Sequence, residues 1–152
     1  MNIRLLTKRD VAAAAAIVGR NYSKEYEKSS TLEIQSMFGD SAVSPVYYGA
    51  EEGGQLVGFA GYIQSWMDYY IYQIFWVNVL PEFQGRGIGK KLVATLIDEI
   101  RKDKKAALIQ ITVTPENIDF YKKHFDFKII EPFGEPTEYL MSLNLGKSSS
   151  HQ

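Results

Sequence analysis

The segment 84–90 contains three glycines spaced by two residues, Gly85, Gly87 and Gly89, between a predicted strand and a predicted helix. Glycine permits positive φ angles and lets a ligand approach the backbone closely. The first amides of a helix have no acceptor within the helix, and the helix dipole adds partial positive charge there. Together with Arg86 and Lys90, this turn is predicted to bind an anion such as a phosphate or pyrophosphate.

The spacing of the glycines separates this turn from two other phosphate-binding loops. The pattern G-x-G-x-G is one residue shorter than the dinucleotide fingerprint, and the preceding strands look antiparallel rather than part of a β-α-β unit. The Walker pattern also fails, because Lys90 is followed by Lys91 and not by serine or threonine. The alternative that remains is a glycine turn that only redirects the chain.

Local signals in the first third of the chain predict one strand and two helices. Residues 2–6 are a strand candidate, and Thr7 with Asp10 forms a capping box that starts the first helix. Ser30 with Glu33 repeats this signature and predicts the start of the second helix. The residues expected on its apolar face are Leu32, Met37 and Phe38.

The rest of the chain alternates between β-type and helical patterns. The predicted strands are 46–50, 55–64, 70–80, 106–114, 127–130 and 139–145, and helices are predicted to begin near Gly87 and at Thr114. The order is β-α-α-β-β-β-α-β-α-β-β, which indicates a single α/β domain whose mixed, mostly antiparallel central sheet is flanked by helices. Residues 1–146 are assigned to this domain, and 147–152 are predicted to be a polar, disordered tail.

Composition excludes several classes of site and partner. The chain has no cysteine and only two histidines, so no metal site is expected. The net charge of −1 gives no reason to expect nucleic acid as a partner. No long apolar segment is present, so we expect no membrane association and a cytoplasmic location.

Two segments resemble conserved blocks of the GNAT family of N-acetyltransferases. The family signature, Gln or Arg, two residues, Gly, one residue, then Gly or Ala, is met by Gln84, Gly87 and Gly89, and the preceding segment 77–83 is similar to the strand end of the family. The second block, 117–127, resembles the family's N-x-x-x-x-F-Y-x-x-x-G-F segment, although Phe125-Asp126 replaces the usual glycine step. The resemblance covers nearly the whole chain and implies a GNAT-like fold.

The resemblance implies that acetyl-CoA is the cofactor and acetyl donor. The pyrophosphate is expected on the turn, and the pantetheine arm between the strand at 77–79 and the strand at 109–113. The residues implied in cofactor binding are Val77, Asn78, Val79, Gln84, Gly85, Arg86, Gly87, Ile88, Gly89, Lys90, Asn117 and Tyr121. An amide near Val77 or Asn78 would polarise the acetyl carbonyl. Tyr121 would be the catalytic acid that protonates the departing thiolate, and a buried core aromatic is the alternative.

The acceptor side is less defined by the sequence. Gln73 and Phe75 stand where many relatives carry a glutamate, so the base is open among Glu33, Asp40, Asp68, Tyr70 and a water chain. An aromatic hairpin is expected at the acceptor cleft, with Tyr22, Tyr26, Glu25 and Glu27 as an opposite wall. The residues predicted to bind substrate are Tyr26, Glu33, Trp66, Asp68, Tyr70 and Gln73.

These observations favour an enzyme that acetylates the primary amine of a small molecule by direct attack in a ternary complex. A protein or peptide amine is the second class of acceptor. The alternative outside catalysis is an acyl-CoA-binding module that senses the cofactor. The exposed aromatic residues also permit a homodimer, although nothing in the sequence requires one.

Overall fold

The computed structural model describes residues 1–133 and 138–146. The strands in these ranges are β1 Asn2–Leu5, β2 Val46–Glu52, β3 Gln55–Gln64, β4 Ile71–Val79, β5 Leu108–Val113, β6 Lys128–Phe133 and β7 Glu138–Asn144. The α-helices are α1 Val11–Asn21, α2 Lys24–Gln35, α3 Ile88–Arg101 and α4 Ile118–Phe125. The predicted order of strands and helices is confirmed.

One sheet holds the described strands in the order β1-β2-β3-β4-β5-β7-β6. Neighbouring strands are antiparallel except β4 and β5, which run parallel. The sheet is therefore mixed and mostly antiparallel, as predicted. Because β4 and β5 run parallel in the middle of the sheet, their C-terminal ends lie at the same end of the strands.

β4 and β5 pair only along their first halves. The register runs from Ile71 opposite Leu108 to Gln73 opposite Gln110, and no β4–β5 pairing follows in the described residues. β4 has a bulge where it diverges from β5. Trp76 and Val77 of β4 lie opposite a single residue of β3, Ala60. The Trp76 backbone has a φ of 51°, in the left-handed region that non-glycine residues rarely adopt. The expected opening beside residues 77–79 is therefore present.

The helix after the glycine turn is amphipathic, as its sequence period predicts. Its buried side chains are Ile88, Leu92, Val93, Leu96, Ile97 and Ile100. Burial of this apolar stripe fixes the start of α3 against the sheet, because Ile88 itself is only 3% exposed. The first helical turn is thus held in place by the core while the preceding turn stays at the surface.

The N-terminal half of the chain contains one confirmed and one wrong helix start. Thr7 donates from its backbone amide to Asp10 Oδ2 at 2.7 Å, which confirms the capping box. The second helix does not begin at Ser30: its cap is Ser23, whose hydroxyl accepts from Tyr26 N at 3.3 Å. Ser30 lies inside α2 and donates to a backbone carbonyl three residues earlier, which a serine within a helix can do.

One further prediction is wrong, and another lies outside the described residues. Leu32, predicted on the apolar face of the second helix, is 71% exposed, because the buried face of α2 carries Ser30 and Ile34, and a residue two positions from each of them faces the opposite side. The predicted tail, residues 147–152, lies outside the described residues.

Among the helices of residues 1–133 and 138–146, none has the length and apolar character that a membrane crossing requires.

Candidate functional site

The glycine turn has the geometry expected of an anion site at the start of a helix. Gly85 and Gly87 have φ angles of 78° and 81°, which other residues rarely adopt. The first helical hydrogen bond of α3 runs from the amide of Lys91 to Gly87 O, at 3.1 Å. The amides of residues 88–90 precede this bond. The turn is exposed. These amides therefore have no acceptor within the helix and lie at its positive end.

Two predicted pyrophosphate residues use their side chains within the turn. Gln84 Nε2 donates to Val79 O at 3.0 Å and to Asn21 Oδ1 at 3.4 Å, so it ties the turn to the ends of β4 and α1. The Arg86 guanidinium lies 4.8 Å from the Phe83 ring centroid. Its Nη2 also donates to Glu82 O, two residues before the turn, at 3.2 Å. These contacts brace the turn and leave its backbone amides as the groups that can bind an anion.

Asn21 is a site residue that the sequence analysis missed. Its Nδ2 donates to Asn78 Oδ1 at 2.9 Å and to Val79 O at 3.0 Å. Asn78 is only 4% exposed, so its side chain is committed to this contact. Asn21 stands at the end of α1, far in sequence from β4, and no local pattern indicates the pairing. The end of α1 is thereby fixed to the diverging half of β4.

A cavity of about 170 Å³ lies where β4 and β5 diverge. Its lining includes the predicted cofactor residues Val77, Asn78, Asn117 and Tyr121. It also includes two residues to which the sequence analysis gave no role in the site, namely Trp76 and Glu138. Trp76 is marked in the structure by its unusual backbone, whereas Glu138 reaches the cavity only because β7 pairs with β5.

Tyr121 projects from α4 into this cavity and is 6% exposed. Its ring packs edge to face on Phe120 at 5.0 Å and on Phe127 at 5.7 Å. The Tyr121 hydroxyl has no hydrogen-bond partner among the described residues. Burial raises the pKa of the Tyr121 phenol well above its ordinary value, and the nearby Tyr22 adds to the rise. Tyr121 therefore contributes a protonated phenol to the lining of the cavity.

The end of α4 explains the departure from the family's second block. Asp126 caps the helix with a φ of 63° and donates its amide to Lys122 O at 3.2 Å. This left-handed position is the one for which glycine is usually chosen at a helix C-terminus. Asp126 therefore makes the turn that a glycine makes in the family pattern, and the chain direction after α4 is preserved.

An aromatic group borders the cavity on the side of α1 and α2. Tyr22 lies 5.8 Å from Tyr26 and 6.4 Å from Trp76, and Tyr26 lies 6.5 Å from Trp76, measured between ring centroids. We call these three residues the aromatic wall. Glu33 accepts a 2.8 Å hydrogen bond from Trp76 Nε1. The predicted substrate residues Tyr26 and Glu33 are thus brought together beside the cavity.

The structure does not bring the other predicted substrate residues to this place. Trp66, Asp68 and Tyr70 lie in the β3–β4 connection, at the opposite end of β4 from residues 77–79, about 20 Å away by strand rise. Asp68 accepts a bond from Tyr70 N at 2.8 Å within that connection. Gln73 occupies the closed end of the β4–β5 opening, where its side chain contacts Gln110 at 3.4 Å. The hairpin was expected at the acceptor cleft because the resemblance to the GNAT family places the cleft there, whereas in the structure it lies at the other end of β4 from the cavity.

Metal chemistry receives no support from the described part of the chain. Residues 1–133 and 138–146 contain no group of three or more His, Cys, Asp or Glu side chains that could hold a metal ion. The charged residue that lines the cavity within these ranges is Glu138.

Comparison with known proteins agrees with this geometry. The sequence model of the acetyltransferase (GNAT) family matches residues 12–127. The N-alpha-acetyltransferase RimI of Mycobacterium tuberculosis is 31% identical over an alignment of 113 residues that covers 60% of this chain and 72% of that protein. Among solved structures, an aminoglycoside 6'-N-acetyltransferase complexed with coenzyme A has a TM-score of 0.78 at 16% identity, covering 95% of this chain and 97% of that one.

A ribosomal-protein-alanine N-acetyltransferase from Brucella melitensis has a TM-score of 0.70 at 23% identity, covering 95% of this chain and 100% of that one. These structural likenesses establish the fold, and the match over residues 12–127 establishes the family. The chain belongs to the GNAT acetyltransferase family and is an acyltransferase that uses acetyl-CoA.

Proposed function

We propose that the protein transfers the acetyl group of acetyl-CoA to the α-amine at the N-terminus of a polypeptide, by direct attack in a ternary complex. The observation that carries the proposal is the cavity that Tyr121 lines together with Tyr22 and Trp76 of the aromatic wall. Asn78 of its lining is hydrogen-bonded to Asn21, which also accepts from Gln84 of the glycine turn. The polypeptide acceptor is favoured by the likeness to RimI, an N-alpha-acetyltransferase. The small-molecule amine favoured by the sequence remains the alternative.

The residues on the donor side fit acetyl-CoA. The exposed turn offers amides without helical acceptors to a pyrophosphate, and the diverging end of β4 offers backbone groups to an extended pantetheine arm. Asn117 lines the same cavity and is the candidate to contact that arm. When bound, acetyl-CoA supplies an activated acetyl thioester, whose carbon–sulfur bond breaks as the carbon–nitrogen bond forms.

Tyr121 is the candidate acid of the reaction. A tyrosine phenol is protonated at neutral pH at its ordinary pKa of about 10, and burial raises the pKa of Tyr121 further. A phenol that stays protonated until the sulfur departs can give its proton to the thiolate. The backbone amides near Val77 and Asn78 are the candidates to stabilise negative charge on the acetyl oxygen.

Glu138 is the best-placed candidate base. It lines the cavity with Tyr121, whereas Asp40, Asp68 and Tyr70 are not part of that lining. Glu33 accepts a hydrogen bond from the Trp76 indole N–H and is not part of the cavity lining. Glu138 would take the proton that the acceptor ammonium loses before attack, directly or through one water.

A thiol-release assay with three classes of acceptor tests the proposal. The first class is lysine-free peptides with a free α-amine, the second is α-blocked peptides with one lysine, and the third is a panel of small amines. We expect CoA release with the first class, with the acetyl group located on the α-nitrogen by mass spectrometry. Turnover restricted to small amines would replace the polypeptide acceptor with the alternative. Tight acetyl-CoA binding without turnover on any amine would favour the sensor.

A further inference from the structure

The aromatic wall extends from inside the cavity to the protein surface. Tyr22 and Trp76 line the cavity, whereas Tyr26 is not part of its lining. Tyr22 and Tyr26 are 61% and 54% exposed, although each ring touches the other two. The wall therefore presents ring surface along a path that leads outward from Tyr121. An acceptor whose amine lies in the cavity would place its next group on this path.

Glu33 lies beside the aromatic wall and is held in position by Trp76. Trp76 Nε1 donates to Glu33 Oε1 at 2.8 Å, and the bulge of β4 sets the direction of the indole. Tyr26, Ser30 and Glu33 follow one another at intervals of four and three residues, so they share one face of α2. Among the described residues, the second carboxylate oxygen of Glu33, Oε2, has no hydrogen-bond partner. Glu33 thus offers a fixed negative charge beside exposed aromatic rings.

The cations of α2 lie elsewhere. Lys24 and Lys28 border a separate shallow surface together with Thr31, and Lys24 is 3.8 Å from the Glu27 carboxylate. No ion pair of Glu33 with a lysine or arginine occurs in residues 1–133 and 138–146. Aromatic faces and an unneutralised carboxylate both attract positive charge, the first through the ring quadrupole and the second by ion pairing.

We propose that the aromatic wall and Glu33 form an acceptor subsite that selects a positively charged group next to the amine that is acetylated. The inference deepens the proposed function, on which it rests, by naming the chemical class of the acceptor. The cation would lie against the faces of Tyr22 or Tyr26 and pair with Glu33. The acetylated amine itself lies further in, beside Trp76 and Tyr121.

Two peptides that differ only in charge test this subsite. Both carry the same free α-amine, with ε-trimethyllysine as the second residue in one and norleucine in the other, so that no second amine can react. We expect the wild-type protein to have a kcat/KM about fivefold higher for the cationic peptide. Glu33→Gln keeps an acceptor for the Trp76 N–H but removes the charge, so the ratio should fall to about one.

Matched controls separate this effect from general damage. Asp98→Asn removes a carboxylate from the exposed side of α3 and should leave the ratio at its wild-type value. Tyr26→Leu should lower the ratio, whereas Tyr69→Leu, an aromatic 52% exposed in the β3–β4 connection, should not. The affinity of each variant for acetyl-CoA, measured by calorimetry, should remain unchanged.

The possible outcomes distinguish this inference from the proposed function. Equal turnover of the two peptides by the wild-type protein, or an equal loss for both in Glu33→Gln, overturns the subsite while the polypeptide acceptor stands. If only small amines react, 1,5-diaminopentane and pentylamine replace the two peptides, and equal turnover of that pair overturns the subsite. If no amine reacts, the proposed function and the subsite both fail.

Discussion

Replacing Gly87 with alanine tests whether the backbone of the turn binds the donor. Gly87 has a φ of 81°, and a Cβ built there meets no atom within 4 Å, so the cost of alanine is conformational and not steric. A non-glycine residue in this region costs about 1–2 kcal/mol. Gly89 provides the control, since it lies within α3 and its Cβ would contact Val79 Cγ2 at an ordinary 3.9 Å.

The free-energy cost of Gly87→Ala is divided between a lower free energy of unfolding and a weaker affinity for acetyl-CoA. If the turn keeps its shape, the free energy of unfolding falls by about 1–2 kcal/mol. If the free protein relaxes the turn, acetyl-CoA must restore the shape, and its Kd rises about 5- to 30-fold. The two losses together should therefore come to about 1–2 kcal/mol.

Urea denaturation and calorimetric titration with acetyl-CoA measure these two losses on the same sample. Gly89→Ala should leave the Kd unchanged, and its stability should be equal or higher because alanine is the better helix former. The reasoning is refuted if Gly87→Ala changes neither quantity, or if Gly89→Ala costs as much as Gly87→Ala.

Three other substitutions have defined outcomes. Tyr121→Phe should lower kcat about 100-fold or more with an unchanged Kd for acetyl-CoA; an unchanged kcat would make Tyr121 a packing residue. Because burial raises its pKa, Tyr121 should add no falling limb to the wild-type pH–rate profile below about pH 10. Arg4 lowers the pKa of Asp10 to about 2, so this carboxylate stabilises the fold above about pH 4 and loses that effect as the pH falls towards 2. Asp10→Asn should remove at most about 2 kcal/mol at pH 7 and little at pH 2, measured by urea denaturation; equal losses at both values would contradict this. Asp126→Gly should raise the free energy of unfolding by about 0.5–1 kcal/mol, since glycine adopts its φ of 63° without strain, whereas a loss would show that the aspartate side chain stabilises the cap.

The fold was predictable because its signals are local. The apolar period of α3 and the capping box at Thr7 each depend on residues within a few positions of one another. The start of α2 was predicted wrongly for the same reason, since Ser23 and Ser30 both offer a local capping pattern. Only packing of the whole helix decides between them, and packing buries Ser30 completely.

The donor side of the candidate site was more predictable than the acceptor side. The turn and the start of α3 form one contiguous segment, so their spacing alone indicates an anion site. The acceptor side combines side chains from α1, α2, β4 and β7, and its central feature is the bulge at Trp76. No property of the tryptophan side chain predicts a positive φ, and the aromatic β3–β4 connection, predicted to border the acceptor cleft, lies at the other end of β4 from the cavity.

The junction between α1 and the connection that follows it links the two sides physically. Asn21 holds the end of β4 through Asn78 and Val79, and the next residue, Tyr22, is the first ring of the aromatic wall. Gln84 reaches from the glycine turn to the same Asn21. The position of the wall is therefore set by the hydrogen bonds that also anchor the donor strand and its turn. Because these bonds join segments some 60 residues apart, they exist only in the folded chain, and local sequence patterns give no sign of them.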